Sequence, residues 1–298
     1  MSEVIKSYKG FNRDLTCRGK QYEVGKEYEE DRAQSCECGM HACEYPLDCF
    51  SYYDPAHSVY YEVEQSGDLS RRGDDSKVAS TKMKIGAEIN IAGMVKASIN
   101  YIRERIKEEK GSDDDYGASL ATGDYGASSA TGYYGASSAT GYKGASLATG
   151  DYGASSATGD YGASSATGDY GASSATGDYG ASSATGYKGA SLATGDYGAS
   201  SATGNCGASS ATGYKGASSA KDPESIAIAW GYKGRVSGVK GSFLVLADWE
   251  GDESEYWKPY TWKLKGAKMV RVDGEHIKEN TWYTMRNGKI VEVTEDDR

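Results

Sequence analysis

Among its 298 residues the chain has 3 His, 3 Phe and 4 Pro, and no apolar run reaches the ~18 residues of a membrane-spanning helix. Each shortage excludes something. With only His41, His57 and His276, a histidine-centred catalytic constellation has few places to sit. Basic residues are in deficit, 33 Lys and Arg against 43 Asp and Glu. The resulting charge of −10 argues against nucleic acid as a direct ligand, because phosphate neutralisation needs clustered cations. The opening residues, Met1 to Phe11, lack the apolar stretch of a signal peptide, so the expected location is a cytoplasm, with no membrane as partner.

What is present is unevenly distributed. Five of the 6 Cys, namely Cys17, Cys36, Cys38, Cys43 and Cys49, lie in the first fifty residues, and Cys206 stands apart. Without an export signal, reduced and buried thiols are the expectation rather than disulfides. Cys36, Cys38, His41 and Cys43 are the candidate metal ligands, with zinc the one cofactor to weigh. Structural zinc sites usually present paired C-x2-C or C-x4-C knuckles, whereas the spacing here is C-x-C-x2-H-x-C-x5-C, so the expectation is no cofactor. His41 also stands beside thiols that could serve as nucleophiles, which makes a Cys-His activity the enzymatic alternative.

The pattern divides the chain into four parts. Residues 1–84 read as a small α+β domain, with strands at "QYEVGKEY", "SVYYEVEQ" and "SKVASTKMKI" and a short helix in "GMHACEYPLDCFSYY". Residues 85–114 hold an amphipathic connector helix, from Glu88 to about Glu109, with Ile89, Ala92, Val95, Ile99, Ile102 and Ile106 at helical spacing. Residues 115–241 are nonapeptide repeats with a capping coil. Residues 242–298 read as an antiparallel β cap, in which Asn287-Gly288 is a strong hairpin turn and Asp273-Gly274 a weaker one.

The repeats fall in register from Asp115 to Asp222 as twelve units of D-Y-G-A-S-S-A-T-G. Near absence of large aliphatics would suit a disordered linker, but a linker has no need of strict period. A parallel β-solenoid has: glycine turns the corner, alanine lets walls approach, and identical side chains stack in ladders about 4.8 Å apart. A calcium β-roll of the same period is disfavoured by the missing double glycine and aliphatic position and by the absence of the aspartate in five units. Nine residues are too few to close a coil, so two or three units must share one. Variation gathers at the first two positions and the sixth, which marks those side chains as outward-facing. The expected binding surface is therefore Tyr125, Tyr134, Lys143, Tyr152, Tyr161, Tyr170, Tyr179, Lys188 and Tyr197. After the repeats, Ile226, Ile228 and Trp230 add bulk, as a capping coil should, and Trp249, Trp257, Trp262 and Trp282 are expected to form the C-terminal core or to close the solenoid.

The segments "SIAIAWG" and "GASSATG" resemble the head β-roll repeats of trimeric autotransporter adhesins. A longer resemblance takes in "YKGFNRDLTCRGKQYEVGKEYE", "GMHACEYPLDCFSYY", the repeats, "AIAWGYKGRVSGVKGSFLVLADWE" and "VRVDGEHIKENTWYTMRNGKIVEV", and is to uncharacterised phage and prophage proteins of Gram-positive gut bacteria. It implies a viral origin and the cytoplasm of a bacterial host, with the virion as the alternative location; it implies no activity. The expected function is a non-enzymatic interaction protein whose solenoid is a spacer or binding surface, with a host bacterial protein as partner and inhibition of a defence protein as one outcome. A fibre-like virion component, dimeric or trimeric, is the structural alternative.

Overall fold

A computed structural model describes residues 3–55, 58–72, 76–105, 110–112, 115–252, 255, 258 and 261–294. His57, Ile106 and Trp257, and the side chain of Ile102, lie outside the described residues. The chain divides into two units, Met1–Ser98 and Ile99–Arg298.

The first unit is built on antiparallel pairing. Its strands are β1 (Ile5–Asn12), β2 (Thr16–Cys17), β3 (Lys20–Gln21), β4 (Glu27–Glu29), β5 (Met40–Cys43), β6 (Ser58–Arg71) and β7 (Lys77–Ile89). β6 pairs with both β1 and β7, β5 pairs with β7, and β1 meets β5 at Tyr8 and Cys43, so four strands close on themselves. Inside lie Phe11, Met40, Ala42, Val63, Met83 and Ile85, all buried. A polar group shares this interior: the two N–H groups of the Gln65 amide are shared among the carbonyls of Met40 and Val78 and Ser80 Oγ, each 3.0 Å from the nitrogen, and its carbonyl accepts from Ser7 at 2.6 Å. A buried amide so fully satisfied does not weaken the core, and it penalises any strand register that would leave it unpaired.

Three sequence expectations change here. The segment read as a helix across "GMHACEYPLDCFSYY" is strand β5 followed by a 3-10 helix, Pro46–Ser51. The strand expected across "QYEVGKEY" is interrupted, because Gly25 at φ 81 breaks it between β3 and β4. Helix α1 runs Ile91–Arg105, starting later than Glu88 because β7 keeps Glu88 and Ile89. Asn90 then caps it, its side-chain oxygen accepting the Gly93 N–H at 2.9 Å.

The second unit is a parallel β-solenoid. Residue Ala127 pairs with Ala145 and so on through the repeats, a step of 18 residues, so a coil takes two nonapeptide units. Odd and even units build opposite walls. Strands Ala127–Thr131, Ala145–Thr149 and onward form one sheet (sheet I), and Ala118–Thr122, Ala136–Thr140 and onward form the other (sheet II). Strand alternation points the fifth-position Ser and the seventh-position Ala inward and positions four, six and eight to the other side, where position four is exposed in sheet II but buried in sheet I. The sequence triplet G-A-S thus separates into three roles: corner, outer face and core.

Because only Ser and Ala point inward, the two walls sit close enough for hydroxyls to reach across. Ser218 donates to Ser209, Ser209 to Ser200, and the chain continues through every unit to Ser128, each link between 2.8 and 3.0 Å. Ser128 finally donates to the Ser119 carbonyl at 2.8 Å. Each buried hydroxyl gives one hydrogen bond and receives one, alternating between sheets, and bonds so aligned polarise one another. At the ninth position there is no room for a side chain. A Cβ on Gly168 would lie 2.1 Å from the Gly150 carbonyl oxygen in the neighbouring coil.

The last coils exchange this thin core for a bulkier one. Val236, Leu244 and Leu246 take inward places and pack with Val272, Tyr283 and Met285. Strand Phe243–Glu250 pairs antiparallel with Lys263–Arg271, and Tyr283–Arg286 with Lys289–Glu292 through a two-residue turn at Asn287 and Gly288, both at positive φ. Antiparallel strands therefore follow each parallel sheet. Ile226 and Ile228 do not fill the interior: in their strand the inward residues are Ala227 and Ala229. The tryptophans do not form the C-terminal core, since Trp249, Trp262 and Trp282 are only half-buried; Trp262 instead packs on Trp249 and on Tyr232 of the solenoid.

Candidate functional site: a cleft in the first unit and aromatic edges on the solenoid

In the first unit, β1, β5 and the hairpin of β2 and β3 bound a cavity of about 500 Å³. Cys17 pairs with Lys20 in that hairpin, and Arg18 and Gly19 form its two-residue turn, both at positive φ. This places Arg18 at the cleft. β1 contributes Lys9, which is 6% exposed and donates to the His41 carbonyl at 2.9 Å. Lys77 adds a third cation, donating to the Tyr52 hydroxyl at 2.9 Å. Tyr53 closes part of the wall: it lies across Gly10, where a Cβ would come within 2.5 Å of it, and its hydroxyl is 2.7 Å from Cys17 Sγ.

The four proposed metal ligands border this cleft but do not form a ligand set. His41 Nε2 accepts the Cys36 backbone N–H at 3.0 Å, and the ring makes a further backbone hydrogen bond to Gly39. Burial, and then the charges of Lys9, Arg18 and Lys77, hold its pKa below the ordinary imidazole value. Cys43 is buried, while Cys36 is exposed in a turn at φ 69. Ser35 and then Lys77 favour the Cys36 thiolate and lower its pKa. Among the described residues, no three His, Cys, Asp or Glu side chains come together so as to hold a metal ion.

On the solenoid, the turns place the first two residues of each unit along two edges. One edge stacks Tyr116, Tyr134, Tyr152 and Tyr170, with ring centroids 4.9–5.0 Å apart. The other stacks Tyr161, Tyr179 and Tyr197 at 5.0–5.2 Å. Aspartates in these turns cap the next coil: the amides of Asp178, Asp196 and Tyr214 donate to Asp160, Asp178 and Asp196 at 2.9–3.0 Å. Where lysine replaces the second-position tyrosine, a tyrosine takes the first position and a stack ends. Lys188 lies 5.0 Å from the Tyr187 ring and 5.8 Å from that of Tyr170, and Tyr187 meets Tyr170 edge-on.

Of the nine residues expected at the surface, Tyr125, Tyr134, Tyr152, Tyr170 and Lys188 are exposed and Tyr161, Tyr179 and Tyr197 half-buried. Lys143 is a correction: it is 4% exposed, and its amine lies over the rings of Tyr142 and Tyr161. Sheet II adds a flat outer face with a shallow groove of about 790 Å³, lined by small residues together with Leu120, Leu192 and Ile228. Sequence reasoning overlooked Lys9, Arg18 and Lys77. The available signals were a lysine between aromatics in "YKGF" and a two-residue R-G turn in "CRGK".

The second unit therefore belongs to the class of parallel β-solenoids with two-unit coils. Residues 5–97, which include every residue of the cleft, match one protein-family profile, described as a domain of unknown function (DUF7666). No curated protein and no solved structure matches the chain. Among the described residues no helix is long and apolar enough to cross a membrane.

Proposed function

We propose that the chain is a non-enzymatic interaction protein, in which the solenoid is a spacer of adjustable length whose aromatic edges are gripped by a protein partner. The observation that carries this reading is the exposed tyrosine stack from Tyr116 to Tyr170. Stacking immobilises each ring before a partner arrives, so little side-chain entropy is left to lose on binding. The resemblance to phage proteins supports a host bacterial protein as that partner, and a defence protein inhibited by occupation of its surface is the version to test first. Crosslinked complexes from extracts of a Gram-positive gut bacterium test it. A host protein should be captured by the native chain and not by a Tyr134→Ser, Tyr152→Ser, Tyr170→Ser variant of unchanged circular dichroism. Equal capture by both would remove the aromatic edge from the account.

A second reading, a homo-oligomer, is favoured by the outer face of sheet II, where Leu120 and Leu192 are exposed on a surface of Ala, Ser and Thr without charge. Light scattering separates the two: a dimer or trimer that Leu192→Lys dissociates supports the oligomer, and a monomer at all concentrations removes it.

A further inference from the structure

The cleft of the first unit reverses the electrostatics of the chain around it. In a protein of net charge −10, its lining has four cationic side chains, Lys9, Arg18, Lys20 and Lys77, against Glu30 and Glu37. Glu30 is already paired with Lys20 at 3.0 Å. Neither Lys9 nor Arg18 has a carboxylate within ion-pair distance among the described residues. The amino group of Lys9 is held by one backbone carbonyl and the face of Phe11, 5.3 Å away. A nearly buried lysine ordinarily ends on a carboxylate, because removal from water is costly unless an opposite charge compensates. Among the described residues no carboxylate pairs with Lys9, and the side chain borders a cavity of about 500 Å³.

We propose that this cavity is a binding site for a phosphomonoester carrying a planar ring, the size of a mononucleotide. A phosphomonoester brings about −1.5 to −2 charges at neutral pH, which matches the excess of cations. The guanidinium of Arg18 suits two phosphate oxygens at once, and Lys9 supplies a point charge from the cleft wall. Tyr22, Tyr52 and Tyr53 give the remaining wall its aromatic surface, the part a ring would meet. His41 is neutral at its lowered pKa and its ring is tied to the backbone, so it shapes the wall rather than neutralising the ligand.

Calorimetric titration of the full chain with AMP, adenosine and inorganic phosphate tests the site. AMP should bind saturably, and adenosine and phosphate at least tenfold more weakly, since each lacks half of the recognised chemistry. Arg18→Asn keeps a residue tolerant of the left-handed turn and should weaken AMP at least tenfold with an unchanged melting temperature. Lys9→Met should do the same; if it unfolds, Arg18→Asn alone decides. No saturable AMP binding up to millimolar concentration, equal affinity for AMP and adenosine, or unchanged affinity in Arg18→Asn would each overturn the proposal.

Discussion

Ser164 donates its hydroxyl hydrogen to Ser155, from one wall of the solenoid to the other, at 2.9 Å, and receives one from Ser173 at 2.9 Å. Both neighbours are buried, so neither can turn to water instead. Replacing Ser164 by Ala leaves Ser173 without an acceptor and Ser155 without a donor. The expected cost is ~1–3 kcal/mol, the penalty of a buried polar group left unpaired. Urea unfolding of Ser164→Ala should show it as a lower midpoint at unchanged slope. Ser165→Ala, on the outward side of the same strand, should stay within ~0.5 kcal/mol of the native chain.

A steric limit applies to the corner. Gly168 adopts φ 146, and an added Cβ would sit 2.5 Å from the Gly150 carbonyl carbon as well as on its oxygen. Neither atom can withdraw, since both belong to the adjacent coil. Gly168→Ala is expected to lose at least ~3 kcal/mol or to abolish the β circular-dichroism signal of the repeats. Gly266→Ala is the control, because nothing lies within 4 Å of its added carbon. Equal melting of the two variants would refute the packing account.

These two positions show why the solenoid was legible in the sequence and the cleft was not. A side chain excluded by the coil next door must be excluded in every coil, so a local constraint is printed as a period. Coil size was left open between two and three units, because period alone cannot say which wall a unit joins; the sheet pairing decides for two. The direction of the serine bonds was likewise hidden: the fifth-position hydroxyls bond from one wall to the other, while a bond along the axis joins Ser219 to Ser201 at the sixth position. The cleft has no period. Lys9, Arg18, Lys77 and Tyr53 come from separate segments, and Lys9 meets Lys77 because β1 pairs with β5 and β5 pairs with β7. Nearness in sequence favoured Cys36, Cys38, His41 and Cys43 instead, and turn geometry directs that group apart.

Asp196 makes a pH effect measurable in the solenoid. Burial raises its pKa above the ordinary 3.8 and Asp178 adds to the rise, while the hydrogen bond from the Tyr214 amide acts in the opposite direction. A carboxyl with a raised folded-state pKa penalises folding at neutral pH, and the penalty disappears as pH falls toward its ordinary value. Asp196→Asn keeps an oxygen for the Tyr214 amide, and Asn205 already occupies the equivalent position one unit later. The variant should therefore melt at or above the native temperature at pH 7, with the difference gone near pH 4. A lower melting temperature at both pH values would show that the ionised carboxylate is needed.

His41 gives the opposite slope. Its neutral ring accepts the Cys36 amide, and protonation would set an N–H against an N–H. With a folded-state pKa below the ordinary 6.5, the unfolded chain binds the proton first as the solution is acidified. The stability of the first unit should be complete above pH 6.5 and fall as the pH drops through the folded-state value. Proton NMR of the ring should report a titration midpoint below 6.5, and the His41→Gln variant should lose the acid slope assigned to this residue. A midpoint at or above 6.5 would contradict the burial and the three neighbouring cations together.

The end of the longer tyrosine stack can be moved. Tyr152 and Tyr170 lie parallel, 4.9 Å apart at 5°, but the next ring, Tyr187, stands at 87° and 6.1 Å because Lys188 occupies the stacking position. The double change Tyr187→Asp with Lys188→Tyr restores the commonest turn of the repeat. It should continue the stack by one ring at position 188 and let the new carboxylate cap the following coil as Asp178 caps Asp196. A further stacked pair contributes ~0.5–1.5 kcal/mol, against ~0.5–1 kcal/mol lost with the exposed lysine over its rings. The net expectation is a melting temperature equal to or slightly above that of the native chain. A clear decrease would mean that the Tyr-Lys turns stabilise the coil in their own right, by more than the cation over the ring accounts for.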